Sequence, residues 1–311
     1  MKSISLYLEK IDPYFTQRLI LYKSLYIVTI FVYIDWIFHI KTQFIAHTYT
    51  TALVATIYEN PLFTSYKEKK FIFVITYFTI ALGSVLFYMV FQYKLALLFV
   101  SLGFFGTLYV LYIKYIPKLR AFVVLFIVIC SMNMSYHPTG IFQIATSMFG
   151  TIMLSMIICY LSIISFPNIY HKVWQRAFIL YLAGLTNILN IDSTNINSNY
   201  IQLMLYDVHF KTMHAYRKLV KKSIKFNVMR INFSINNMFI VATYLVNCKK
   251  NTSTWSTLNQ HIQKFYNNIK KNCTTSALNV ELLHDLTKVE LYFIKHLNIT
   301  IDNWNKLCRS L

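Results

Sequence analysis

The chain has 311 residues and a net charge of +19, yet only 13% of its residues are charged while 56% are hydrophobic. Ordinary soluble domains carry about 25% charged residues, so this composition excludes a chain that is water-soluble throughout. Residues 1–166 hold 12 Lys/Arg against 5 Asp/Glu, and residues 167–311 hold 18 against 6.

In chain order, residues 1–18 are polar, with Glu9, Asp12 and Pro13, and show no cleavable leader. Six apolar segments follow: Leu19–Ile40, Gln43–Tyr58, Phe71–Phe91, Leu95–Tyr115, Leu119–Met134 and Ile141–Phe166. Several approach the roughly 20 residues needed to cross a bilayer, and backbone polar groups in lipid must be satisfied within each segment, so these runs are helices. The basic residues orient them. Lys2, Lys10 and Arg18, then Lys67, Lys69 and Lys70, then Lys114, Lys118 and Arg120 fall on one side, while the opposite turns hold Lys41, Lys94 and none. By the positive-inside rule both termini face the cytoplasm.

After Ser165–Pro167 no run of spanning length remains. Apolar residues at helical spacing predict amphipathic helices at Asn168–Leu189, Tyr200–Phe226, Ile231–Asn247, Trp255–Lys271 and Val280–Leu297. The predicted fold is therefore an all-α integral membrane protein: a cytoplasmic segment at 1–18, six transmembrane helices over 19–166 and a cytoplasmic helical bundle over 167–311. Cytoplasmic address explains the basic tail without a nucleic-acid partner, since no recognition motif accompanies the dispersed cations. The five cysteines lack metal-ligand or disulfide-framework spacing. No phosphate loop or nucleophile motif is present and Gly is scarce, so neither an enzyme nor a cofactor or metal is expected.

The layout carries a further pattern. Arg18 precedes the first span, and a polar second span, His47-Thr48-Tyr49-Thr50-Thr51-Ala52, leads through Asn60-Pro61 to the basic loop Tyr66-Lys67-Glu68-Lys69-Lys70. Gly83 lies past the middle of the third span, and the sixth carries Gly150 and runs into Phe166-Pro167. This arrangement resembles the fusaric acid resistance / aromatic acid exporter family, in which six spans precede a helical cytoplasmic domain. Tyr49 stands at that family's aromatic position in span two. Lys69 or Lys70 replaces its Arg opening span three, and its Gly-x3-Gly-like stretch is reduced to Gly83-Ser84. The resemblance implies a bacterial inner-membrane exporter of small, aromatic organic anions driven by proton entry, and a homodimer around one pathway; whether a periplasmic partner continues the route stays open. Plant malate channels resemble the same six-span scaffold, which keeps a passive anion channel open as an alternative; a membrane anchor with a partner-docking tail is a third.

Candidate residues follow. Asp35 is an acid near the outer end of a span, where it either anchors at the interface or faces a cavity, and His47 carries an imidazole, suited to proton relay or to packing between helices; both are proton-coupling candidates. Tyr49, Asn133 and His137 are pathway-lining candidates, the last two beside a helix break at Pro138 and Gly140. Lys114, Lys118 and Arg120 form an anion-attracting inner mouth.

Overall fold

A computed structural model describes residues 7–8, 10–38, 44–135, 142–189, 207–246, 252–279 and 286–310. All regular structure among them is helical. The chain divides into two compact units, Gln17–Pro167, and Met1–Thr16 with Asn168–Leu311.

The first unit contains α1 (Thr16–Phe38), α2 (Phe44–Glu59), α3 (Tyr66–Val90), α4 (Lys94–Tyr115), a 3-10 helix at Pro117–Phe122, α5 (Val123–Ser135) and α6 (Phe142–Ser165). Among the described residues, four helices are long and apolar enough to cross a membrane: α1, α3, α4 and residues Ala145–Ser165 of α6. The two shorter expected spans differ. α2 has 16 residues and α5 has 13, about 24 Å and about 20 Å at 1.5 Å per residue. The expected fifth span begins instead as the 3-10 helix, for a local reason. Pro117 lacks an amide hydrogen and disfavours helical backbone at the preceding residue. Ile116 accordingly leaves the helix at φ −140°, ψ 66°, its amide donating to the Tyr112 carbonyl.

α3 is the hub, packing against α2, α4, α5 and α6. Its Phe73, Tyr77, Ile80 and Ala81 join Phe63, Phe126 and Ile152 in one buried cluster. Gly83 marks the tightest contact: a Cβ there would meet Cys130 Sγ and a Phe104 ring carbon, each at 2.8 Å. Whereas 61% of α3's apolar window is buried, only 6% of α4's is. Leu95, Phe99, Leu102 and Val110 of α4 are bare. Such a surface is untenable in water and natural in lipid.

The second unit contains α7 (Tyr170–Leu189), α8 (207–216), α9 (Lys222–Val246), α10 (Thr252–Lys270) and α11 (Lys288–Ser310). α9 packs closely on α11, and α7 on α10. Phe178 sits between Phe265 and Trp304, with ring centroids 6.0 and 5.9 Å away. Buried polar groups are matched by neutral amides. Trp174 Nε1 donates to Asn232 Oδ1 at 2.9 Å, and the Tyr181 hydroxyl donates to the Ile235 carbonyl at 2.8 Å.

Two helix boundaries correct the sequence reading. The expected Tyr200–Phe226 helix turns at 217–221, and a new helix opens at Lys222. No Gly or Pro forces this turn; it buries Leu219 and Val220, so tertiary packing overrides local periodicity. The expected Val280–Leu297 helix is instead Lys288–Ser310, opened by a reciprocal cap in which the Glu290 amide donates to Thr287 Oγ1 and Glu290 Oε2 accepts the Thr287 amide. Glu281 and Asp285 lie outside the described residues.

An extended strap at 273–279 runs along α11, held by two asparagines. Asn305 accepts the Thr275 amide at 2.9 Å and donates to the Thr275 carbonyl at 2.7 Å. Asn298 does the same for Leu278 at 2.8 and 2.9 Å. Seven helical residues rise about 10.5 Å and three extended residues span about 10 Å, so the registers match.

Candidate functional site

The chemistry of the membrane unit converges on one buried ion cluster. Its geometry starts with the turn joining α2 to α3. Asn60 Oδ1 accepts the Leu62 amide at 3.0 Å, and the Asn60 carbonyl accepts the Phe63 amide at 3.1 Å. Phe63 plugs the core with no exposed area. Ser65 then caps α3, its hydroxyl accepting the Glu68 amide at 3.2 Å, while Glu68 Oε2 accepts the Thr64 amide at 3.2 Å. The expected basic loop 66–70 is thus the first turns of a helix, and that alters the fate of its charges. Glu68 points out and pairs with Lys118. Lys69 points in, 1% exposed.

Inside, the Glu59 carboxylate bridges two ammonium groups. Its Oε1 lies 2.6 Å from Lys23 Nζ of α1, and its Oε2 lies 3.1 Å from Lys69 Nζ of α3. The three side chains are at most 6% exposed. Lys23 stands seven residues into α1, about 10 Å along its axis. Aromatic rings wall the cluster. Lys23 Nζ lies 5.4 Å from the ring centroids of both Tyr58 and Phe166, and Lys69 Nζ lies 5.2 Å from that of Tyr58. Phe73 joins this wall to Tyr160 and Tyr77, at 5.8 and 5.0 Å between centroids. Lys70 faces Tyr160, 5.7 Å from its centroid. Effective charge interactions strengthen as water is removed, and an ion left alone in such a place costs several kcal/mol. The triad therefore holds α1, α2 and α3 together only while it remains complete.

A second polar group lies deeper. Asn133 is fully buried and its Nδ2 donates to Ser84 Oγ at 3.0 Å, while its Oδ1 has no hydrogen-bond partner among the described residues. The Thr79 and Tyr112 hydroxyls meet at 2.6 Å. Asn133, expected to line a pathway, thus stitches α5 to α3.

The remaining candidates separate. Lys114 and Arg120 are exposed, and Lys118 is half-exposed and engaged by Glu68, so the inner-mouth trio is partly neutralised. The side chains of Asp35, His47 and Tyr49, and all of His137, lie outside the described residues. Sequence reasoning did not single out Lys23 or Glu59. A signal existed for each: Lys23 interrupts an apolar run of spanning length, and Glu59 is one of only five acids in the first 166 residues. Their pairing, 36 residues apart, is visible only in three dimensions.

No family model, no curated protein and no solved structure matches the chain.

Proposed function

We propose that the membrane unit conveys small aromatic organic anions, in the export sense implied by the family resemblance, through a domain of six spans with both termini in the cytoplasm. The helices α2 and α5, packed on α3 beside the four long ones, complete the count. A shared side for the termini is favoured by the N-terminal segment, which packs on the tail: the Tyr14 hydroxyl and His209 Nδ1 are 2.6 Å apart, and the Arg176 guanidinium lies 5.1 Å from the Phe15 ring centroid.

The Lys23–Glu59–Lys69 triad carries the reading. Two ammonium groups gripping one carboxylate make a site that an incoming carboxylate can share or take over, and Tyr58 and Phe166 offer flat surfaces to an aromatic body. Protonating Glu59 raises the local charge by one and weakens both pairs, whatever else the lysines touch. Proton and anion therefore bind together, and an anion leaving down its own gradient takes a proton with it. This differs from coupling to proton entry at Asp35 and His47. The sealed triad also favours an alternating site over an open anion channel.

The test is benzoate binding to the full chain in nanodiscs by calorimetry at two pH values. Affinity is expected to rise about tenfold on acidification, to lose its pH dependence in Glu59→Gln and to vanish in Lys69→Met. Benzoate binding that is unchanged in both variants overturns the assignment. So does a complete absence of binding at either pH.

A further inference from the structure

The α9 helix is apolar on two opposite faces. Ile224, Val228, Ile231, Ile235, Met238 and Ala242 are buried, and at about 100° per residue they mark the face turned to the bundle. On the other side Phe226, Met229, Phe233, Ile240 and Tyr244 are 40% to 66% exposed. These five fall within a sector about 60° wide, on the same geometry. An exposed apolar stripe this regular marks an interaction surface rather than scattered surface residues. It continues onto α11: His296 lies between Phe233 and Tyr292, with ring centroids 6.3 and 4.5 Å away. A groove of about 510 Å³ runs along this junction, lined by Phe226, Met229, Arg230 and Phe233 of α9 and by His296 and Asp302 of α11.

The charge around the stripe selects its occupant. α9 contains no Asp or Glu. Lys225 and Arg230 stand about 40° beyond its two edges on the helical wheel, and Lys222 extends it toward the helix start. The Arg230 guanidinium lies over the Phe226 ring at 4.3 Å, keeping a cation beside an aromatic rim. We propose that this face of α9 lies on an anionic lipid surface. Aromatic and aliphatic residues on one face with flanking Lys and Arg are the pattern of helices that rest in the headgroup layer. Each cation near anionic lipid adds to the attraction. A second copy of the chain fits less well, because pairing two such faces sets Lys222, Lys225 and Arg230 against their like, and the neighbouring acid, Asp302 of α11, is already held by Lys306 at 2.7 Å. The inference is independent of what the membrane unit carries.

The full chain in nanodiscs provides the test, with a photo-crosslinking p-benzoylphenylalanine in place of Phe233, and separately of Gln263, an exposed position on α10. Irradiation is expected to give a lipid adduct at position 233, detected by mass, and none at 263. The yield should be about threefold or more higher in nanodiscs containing phosphatidylglycerol than in pure phosphatidylcholine, and fall to the neutral-lipid level in Lys225→Glu/Arg230→Glu. A covalent dimer at position 233 overturns the proposal in favour of a second copy. Equal lipid adduct at both positions, or none at 233, overturns it outright.

Discussion

The membrane unit and the tail both bury polar side chains, but with opposite chemistry. In the tail the pairing is neutral and amide-based: Asn232 with Trp174, Asn298 and Asn305 with the strap at 273–279. In the membrane unit the buried charged group is the set Lys23, Glu59 and Lys69. Amide pairs fix a shape and have no charge to exchange. A buried carboxylate shared by two cations answers to a proton or an anion, whereas the tail's amide pairs do not.

The largest effect should come from breaking the charged set. Glu59→Leu removes the carboxylate that both buried ammonium groups share and is expected to cost about 3–5 kcal/mol, read as a loss of thermal stability of the full chain in detergent. Adding Lys23→Met and Lys69→Met should restore much of that loss. If the triple variant is no more stable than Glu59→Leu, the triad is not an interdependent unit. Gly83→Ala should cost about 1–3 kcal/mol by overpacking against Cys130 and Phe104. Gly103→Ala, with nothing within 4 Å of its added methyl, should be near neutral in the same assay.

In the tail, Asn305→Ala orphans a backbone amide and carbonyl and should cost about 1–2 kcal/mol, with faster amide exchange at Thr275. Tail stability should also fall in acid. Burial, aided by Lys172, Arg217 and Lys295, holds His171, His214 and His296 below their ordinary pKa, and burial does the same to His209. A lowered histidine pKa gives stability that is complete above the unfolded value, about 6.5, and is lost as pH drops beneath it. Melting of the tail at pH 5 should therefore precede melting at pH 7.5. The smallest effect belongs to Lys118→Ala, whose partly exposed pair with Glu68 contributes less than about 1 kcal/mol. A larger loss would show that the inner rim matters more than its exposure indicates.

The apolar runs made the helical, membrane-embedded character of the first half legible, because composition over 20 residues is a strong signal. Contacts across many residues were not. Lys23 and Glu59 are 36 positions apart, and nothing in their flanks announces a partner. The turn at 217–221 has no breaker residue, and only the burial of Leu219 and Val220 explains it. The periodicity ended the last helix at Leu297, whereas Asn298 and Asn305, seven apart on α11, mate with an extended segment. Lys69 was counted as one of three orienting cations. It is the one that the capped start of α3 turns inward.

Lys23 also bears on how the protein is made. α1 emerges from the ribosome before Glu59 exists, carrying a lysine whose insertion alone costs up to about 3 kcal/mol near the helix centre. That cost is relieved once α2 delivers Glu59 and α3 follows. Biogenesis is therefore favoured when α2 and α3 follow α1 promptly, so that the carboxylate reaches the lysine early. Lengthening the connection between α1 and α2 would prolong that exposure and lower the yield of inserted chain.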